Sequence, residues 1–163
     1  MSQEPEPISA AERRALERDR DALRAARAAD APEPQDSGQA GDRGDAADAS
    51  ERVDEATRIG VRMAEITLRL HEGERAGVPP VDAVGVGSTV TVRFPDGDRA
   101  TLHLARLASE RDPTLVTVDS PLGHALLGHE AGDRVEYATP DGREVIHLLS
   151  VGEPGPANGR YGT

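Results

Sequence analysis

VTVDSPLGHALLGHEAGDRVEYATPDG, Val116 to Gly142, packs a strand, a capped helix and half a hairpin into one short run. Leu115 to Val118 is rich in Leu, Val and Thr and reads as a strand. In Ser120-Pro121 the Ser suits a helix N-cap and the Pro suits the first helical position, where a missing N–H costs nothing. Leu122, Ala125 and Leu126 form the apolar side of that short helix, and Gly128 closes it. Arg134 to Ala138 and Glu144 to Val151 then pair as a hairpin across Thr139-Pro140-Asp141-Gly142. Upstream, Ser88 to Phe94 (STVTVRF) alternates as a strand, Pro95-Asp96-Gly97 turns, and Arg99 to Leu107 returns. The second half of the chain is a small β-rich domain.

Composition changes at GERAGVPP, Gly73 to Pro80. Before it the pattern is helical and almost free of β-branched residues. Ser9-Ala-Ala-Glu12 has the form of a capping box. Leu16 and Leu23, one heptad apart and flanked by Ala15, Ala22 and Ala26, give the first helix a thin apolar seam. That helix stops by Pro32, because the residue before a proline is pushed out of the α region. A second helix is expected from about Asp48 to Glu72, on Val53, Ala56, Gly60, Met63, Ile66 and Leu70, with Gly73 ending it. Two helices with narrow stripes make an antiparallel hairpin. The chain thus divides into a coiled-coil hairpin at 8–76, a β-rich domain at 80–152 and a tail at 153–163.

The bulk numbers exclude several classes. The 163 residues carry a net charge of −11, which disfavours electrostatic binding of bare nucleic acid. One Phe, two Tyr and no Trp leave no aromatic-packed core and no base-stacking platform. The absence of Cys removes disulfides, zinc-thiolate sites and thiol catalysis. A polar, acidic start and no long apolar window point to a cytoplasmic protein without a membrane segment, and a monomer is expected. All 19 basic residues are Arg, a pattern that a GC-rich genome explains.

Charge along the helical half is uneven. Residues 9–29 hold six Arg against four acids, whereas residues 30–55 hold nine acids against two Arg. At the turn, AGDRGDAAD places Asp42, Asp45 and Asp48 three apart. Neighbouring positions of that spacing meet on a helix, and hard carboxylate oxygens suit Mg²⁺. Acids in a first helical turn are equally favoured by the helix dipole, so spacing alone leaves both readings standing. Elsewhere the motifs are bland. Gly85-Val86-Gly87-Ser88 lacks a third Gly, precedes a strand, and reads as a turn rather than a phosphate loop. His71, His103, His124, His129 and His147 have no metal-ligand spacing.

Two stretches carry a resemblance. GDRGDAADASERVDEATRIGVRMAEITLRL, Gly41 to Leu70, is similar to the tip and second coiled-coil helix of the Gre transcript-cleavage factors of bacterial RNA polymerase. Val116 to Gly142 resembles their carboxy-terminal domain, where a strand leads to Ser-Pro-Ile/Leu, Ala-Leu-x-Gly and Gly-Asp. The likeness runs from Ile8 to about Val151. It implies an α+β fold: an amino-terminal antiparallel α-helical coiled coil, then a small FKBP-like β-rich domain. It implies that RNA polymerase is the partner, gripped at the rim of its secondary channel while the coiled coil enters toward the catalytic Mg²⁺. Asp42 then matches the first tip acid, Asp45 the second and Asp48 the trailing acid. Asp119, Ser120 and Pro121 match the rim-contacting loop. The chain has no catalytic residues of its own in this reading, and Asp42 and Asp45 share Mg²⁺ only when docked. No sequence-specific DNA binding is implied, and nascent RNA is met only at its 3′ end, indirectly.

The tip departs from the cleavage factors. Asp45 stands where they have Glu, Ala46 where they have Asn, and Gly44 where they have Lys; Pro32, Pro34, Gly38 and Gly41 interrupt the distal first arm. The GDxGDAA tip is closer to Gre-like members that enter the channel and inhibit transcription. The expected function is therefore modulation or inhibition, with stimulated transcript cleavage as the alternative. Two further alternatives are a peptidyl-prolyl isomerase, which the scarcity of aromatics (Phe94 and Tyr137) argues against, and a generic dimerising coiled coil.

Overall fold

The computed structural model describes residues 4–30 and 43–152, and of residues 43–45 the backbone alone. An amino-terminal pair of helices is followed by a curled mixed sheet, in the order α1 (Ala10–Ala29), α2 (Arg43–Ala76), β1 (Thr89–Arg93), β2 (Arg99–Ala105), β3 (Leu115–Thr117), α3 (Pro121–Leu126), β4 (Arg134–Thr139) and β5 (Gly142–Val151).

Ser9 caps α1 as expected, its hydroxyl accepting the Glu12 N–H at 3.0 Å. The capping box is only half made. The Glu12 carboxylate does not turn back to its own helix but crosses to Arg69 of α2. The second helix is longer than the pattern suggested: it opens at Arg43 rather than Asp48 and passes Gly73 to end at Ala76. Gly73 is a packing residue. A Cβ there would lie 2.3 Å from Ile8 Cγ2, so the glycine lets the amino-terminal segment press against the helix. The chain leaves α2 at Gly77, whose φ of +79° only glycine adopts without strain.

The seam also differs from its expected register. Ala11, Ala15 and Leu16 of α1 and Ile59, Ile66 and Leu70 of α2 are buried, whereas Val53, Ala56 and Gly60 are exposed. Ile8, Leu16, Ile66 and Leu70 form a small cluster with Leu23 and Leu107 against it. At the root of the arm Leu107 adds apolar surface from beyond β2.

The sheet order is β3-β2-β1-β5-β4, with β2–β3 parallel and the other pairs antiparallel. From edge strand β3 the chain crosses through α3 to the opposite edge, β4. One sheet face is covered: Val90, Val92, Leu102, Leu104, Val135, Ile146 and Leu148 pack with Leu126 of α3. The β4–β5 turn is tighter than the expected four residues, with Thr139 opposite Gly142 and only Pro140-Asp141 between them. No helix among the described residues is long and apolar enough to cross a membrane.

Candidate functional site

Three regions bear on function: the acidic end of α2, the loop before α3, and the root where arm and sheet meet. Asp42 lies outside the described residues. Asp45 and Asp48 both stand in the first turns of α2, three positions apart, and Asp48 is exposed. Asp48 shares an open groove with Asp30, Glu51, Asp54 and Glu55, with Arg52 and Arg58 beside them. Among the described residues no group of three or more His, Asp or Glu side chains could hold a metal ion.

The second region is built tightly. The Ser120 hydroxyl donates to the Thr117 carbonyl at 2.7 Å and accepts the Gly123 N–H at 3.1 Å. Gly123 is buried so closely beneath this turn that a Cβ would sit 2.0 Å from the Thr117 carbonyl oxygen. The turn thereby holds Asp119 and Pro121 out in solvent on a rigid base. Asp119 also lies near enough to Arg106 to help raise its pKa, after the larger effect of Glu6.

The third region was not singled out from sequence. Arg69 is almost wholly buried between the helices. Its Nε donates to Glu12 Oε1 at 2.9 Å, its Nη2 to Glu12 Oε2 at 3.2 Å and to the Pro7 carbonyl at 2.6 Å, and its Nη1 to the Glu6 carbonyl at 2.9 Å. Glu12 Oε1 additionally accepts the Leu107 N–H at 3.4 Å. Glu6 pairs with Arg106, whose guanidinium holds the Glu6 carboxyl below the ordinary carboxylate range. Gly87 completes the contact: a Cβ there would approach the Pro7 carbonyl oxygen to 2.7 Å. The Gly85–Ser88 turn thus serves as a seat for the amino-terminal segment. Farther up the arm, Arg62 reaches the Ala108 carbonyl at 2.6 Å, and Asp19 accepts Arg111 at 3.1 Å. A charged residue, Arg69, between the buried Ile66 and Leu70 was the one sequence signal of this hub.

The remaining candidates take structural places. His103 Nδ1 lies 2.9 Å from the Thr89 hydroxyl across β1 and β2. Phe94 and Tyr137 pack against the sheet core, and the Tyr137 hydroxyl donates to Glu144 at 2.5 Å.

The chain thus has two parts: a helical arm that carries acids at its far end, and a curled sheet with a presented Asp-Ser-Pro turn, joined at the root by a buried ion pair. Residues 79–153 match the family model described as transcription elongation factor, GreA/GreB, C-term. An uncharacterized protein of Mycobacterium tuberculosis is 39% identical over 108 residues, which are 64% of this chain and 66% of that protein. Transcription elongation factor GreA of Clostridium botulinum is 38% identical over 74 residues, 44% of this chain and 46% of that one. The solved Gfh1 of Thermus aquaticus aligns over 92% of this chain and 99% of its own, at 24% identity and a TM-score of 0.40. The chain belongs to the Gre-type family, and residues 79–153 are its GreA/GreB carboxy-terminal domain.

Proposed function

We infer that this chain regulates transcription by binding RNA polymerase at the secondary channel and directing its acidic arm toward the active site, where it modulates or inhibits elongation. The observation that carries this reading is α2 itself. It is one unbroken helix of 34 residues, about 51 Å at 1.5 Å per residue, with the tip acids at its beginning and the buried Glu12–Arg69 pair near its end. A narrow rod anchored at one end suits insertion into a channel. The exposed Asp119 and Pro121 supply a second contact, at the rim, on the same rigid turn as Ser120.

The chain acts as a modulator of the polymerase site and not as an enzyme. Asp42 and Asp45 are the residues that would meet a Mg²⁺ shared with the polymerase; such an ion would activate water and stabilise the oxygens of phosphodiester displacement. The shorter Asp45 side chain and the small Ala46 support a tip that occupies the site without assisting hydrolysis. Stalled, backtracked elongation complexes test the choice. Blocked synthesis with RNA of unchanged length is expected. Shortened RNA that disappears in an Asp42→Asn variant overturns inhibition in favour of stimulated cleavage, and failure to bind core polymerase overturns both.

A further inference from the structure

The sheet face opposite α3 carries a row of three arginines and a histidine. In register, Arg99 of β2 lies opposite Arg93 of β1, Arg93 opposite His147 of β5, and His147 opposite Arg134 of β4. Directly paired residues project from the same face, so three guanidinium groups and one imidazole cross four adjacent strands. At about 4.8 Å between strands the row is about 14 Å long. Their neighbours along the strands, Val92, Leu148 and Val135, point the other way into the core.

This arrangement costs stability. Like charges directly across strands repel, and among the described residues Arg93, Arg99 and Arg134 have no ion-pair partner. The carboxylates nearby are engaged elsewhere: Glu136 accepts Arg143 at 2.9 Å, Glu144 accepts the Tyr137 hydroxyl, and Asp133 accepts the Glu130 N–H at 2.8 Å. Asp98 and Asp141 stand in the turns at the margins. In a chain of net charge −11, an uncompensated basic row is a local inversion of sign that folding alone does not require.

We propose that this row is a docking site for an extended acidic segment of a protein partner. Alternate side chains of an extended peptide are about 6.8 Å apart, so carboxylates at i, i+2 and i+4 span about 14 Å and match the row end to end. The groove beside it has exposed apolar members as well, Pro95 and Val145, which suit a protein segment. Nucleic acid is the poorer fit, because the acidic whole repels a polyphosphate and Phe94 is packed on the core instead of offered for stacking. The site is separate from the arm and from the Asp119–Pro121 turn, and it stands whether or not the channel reading does.

Fluorescence anisotropy on the full chain, without polymerase, tests the proposal. The probe is a short labelled peptide alternating Glu and Ser. Saturable binding that weakens about tenfold or more in an Arg93→Gln/Arg134→Gln variant, and falls as salt rises, is the expected result. An Arg75→Gln variant, altered at an exposed position in the last turn of α2, should bind as the parent does. Thermal melting checks that the double variant folds; if it does not, the salt dependence of the parent and a matched peptide alternating Gln and Ser decide the matter. Equal binding of the Gln peptide, tighter binding of a single-stranded oligonucleotide of matched length, or a concentration-dependent rise in mass showing that a second copy occupies the face would each overturn it.

Discussion

Arg69 and Glu12 face each other in a two-pronged ion pair, 2.9 and 3.2 Å, at the point where α2 crosses α1, and neither side chain reaches solvent to any extent. Removing one partner strands the other charge in the interior. Arg69→Met should therefore cost about 3–5 kcal/mol, whereas the Glu12→Leu/Arg69→Met pair should cost markedly less than the two single losses combined. Urea unfolding of the four proteins in the cycle measures this, and additive losses would count against a coupled pair.

Two glycines of α2 should respond in opposite directions. A methyl group added at Gly60 would meet nothing within 4 Å, so Gly60→Ala should stabilise by about 0.5–1 kcal/mol through helix propensity. At Gly73 the same change drives a methyl into Ile8, and the expected outcome is a loss of about 1–3 kcal/mol. Thermal melts of the two variants side by side are sufficient; a Gly73→Ala protein as stable as Gly60→Ala would mean that the amino-terminal segment does not press there.

Acid should loosen the root of the arm. The hydrogen bond and charge of Arg106 lower the Glu6 pKa below 4.5, and the Thr114 hydroxyl and N–H lower that of Asp112 below 3.8. A depressed carboxylate pKa contributes stability that is fully present above the unfolded value and is lost as pH falls through the folded value. Stability should thus decline as pH drops from about 5 toward 3, and Glu6→Gln should flatten that decline. Unfolding midpoints across this range supply the measurement.

Gly123 and Pro121 separate folding from binding. Gly123→Ala places a methyl against the Thr117 carbonyl and should destabilise the sheet domain by about 1–3 kcal/mol. Pro121→Ala and Asp119→Ala alter exposed side chains, so melting should stay within about 0.5 kcal/mol while affinity for core polymerase falls. Undiminished affinity in both would remove this turn from the interface.

Lengthening the second tip acid tests the inhibitory assignment directly. Asp45→Glu moves the carboxylate outward by one methylene, and displacement of about 1 Å can change a rate by 10²-fold. Transcript cleavage in backtracked complexes should appear or rise with Asp45→Glu. If it stays absent, the length of this side chain is not what separates inhibition from cleavage.

The local signals were readable in the amino acids. Ser9 and Ser120 cap the helices they announce, and Pro140-Asp141-Gly142 turns the final hairpin, because each signal works through its own backbone. The tertiary choices were hidden. Gly73 looks the same whether it ends a helix or admits Ile8, and only the folded partner decides. Glu12 fits a capping box equally well whether its carboxylate turns home or crosses to Arg69. The α2 seam settled on Ile59, Ile66 and Leu70, and Leu107, distant in sequence, packs against the cluster that Ile66 and Leu70 join. The Asp119–Pro121 turn was legible as a helix start; its exposure on a glycine-tight base was not.

The amino-terminal segment has a consequence for how the molecule comes to be. Glu6 waits for Arg106, 100 residues later, and Glu12 for the Leu107 N–H, 95 residues later. Contacts so distant in sequence form slowly, since a long loop must close before they give any return. During synthesis both helices emerge well before β2, so the arm exists for a time as a pair of helices tied only to each other. Its attachment to the sheet waits for Arg106 and Leu107, just beyond β2, to leave the ribosome, so the segment that holds Glu6 and Glu12 settles well after it is made.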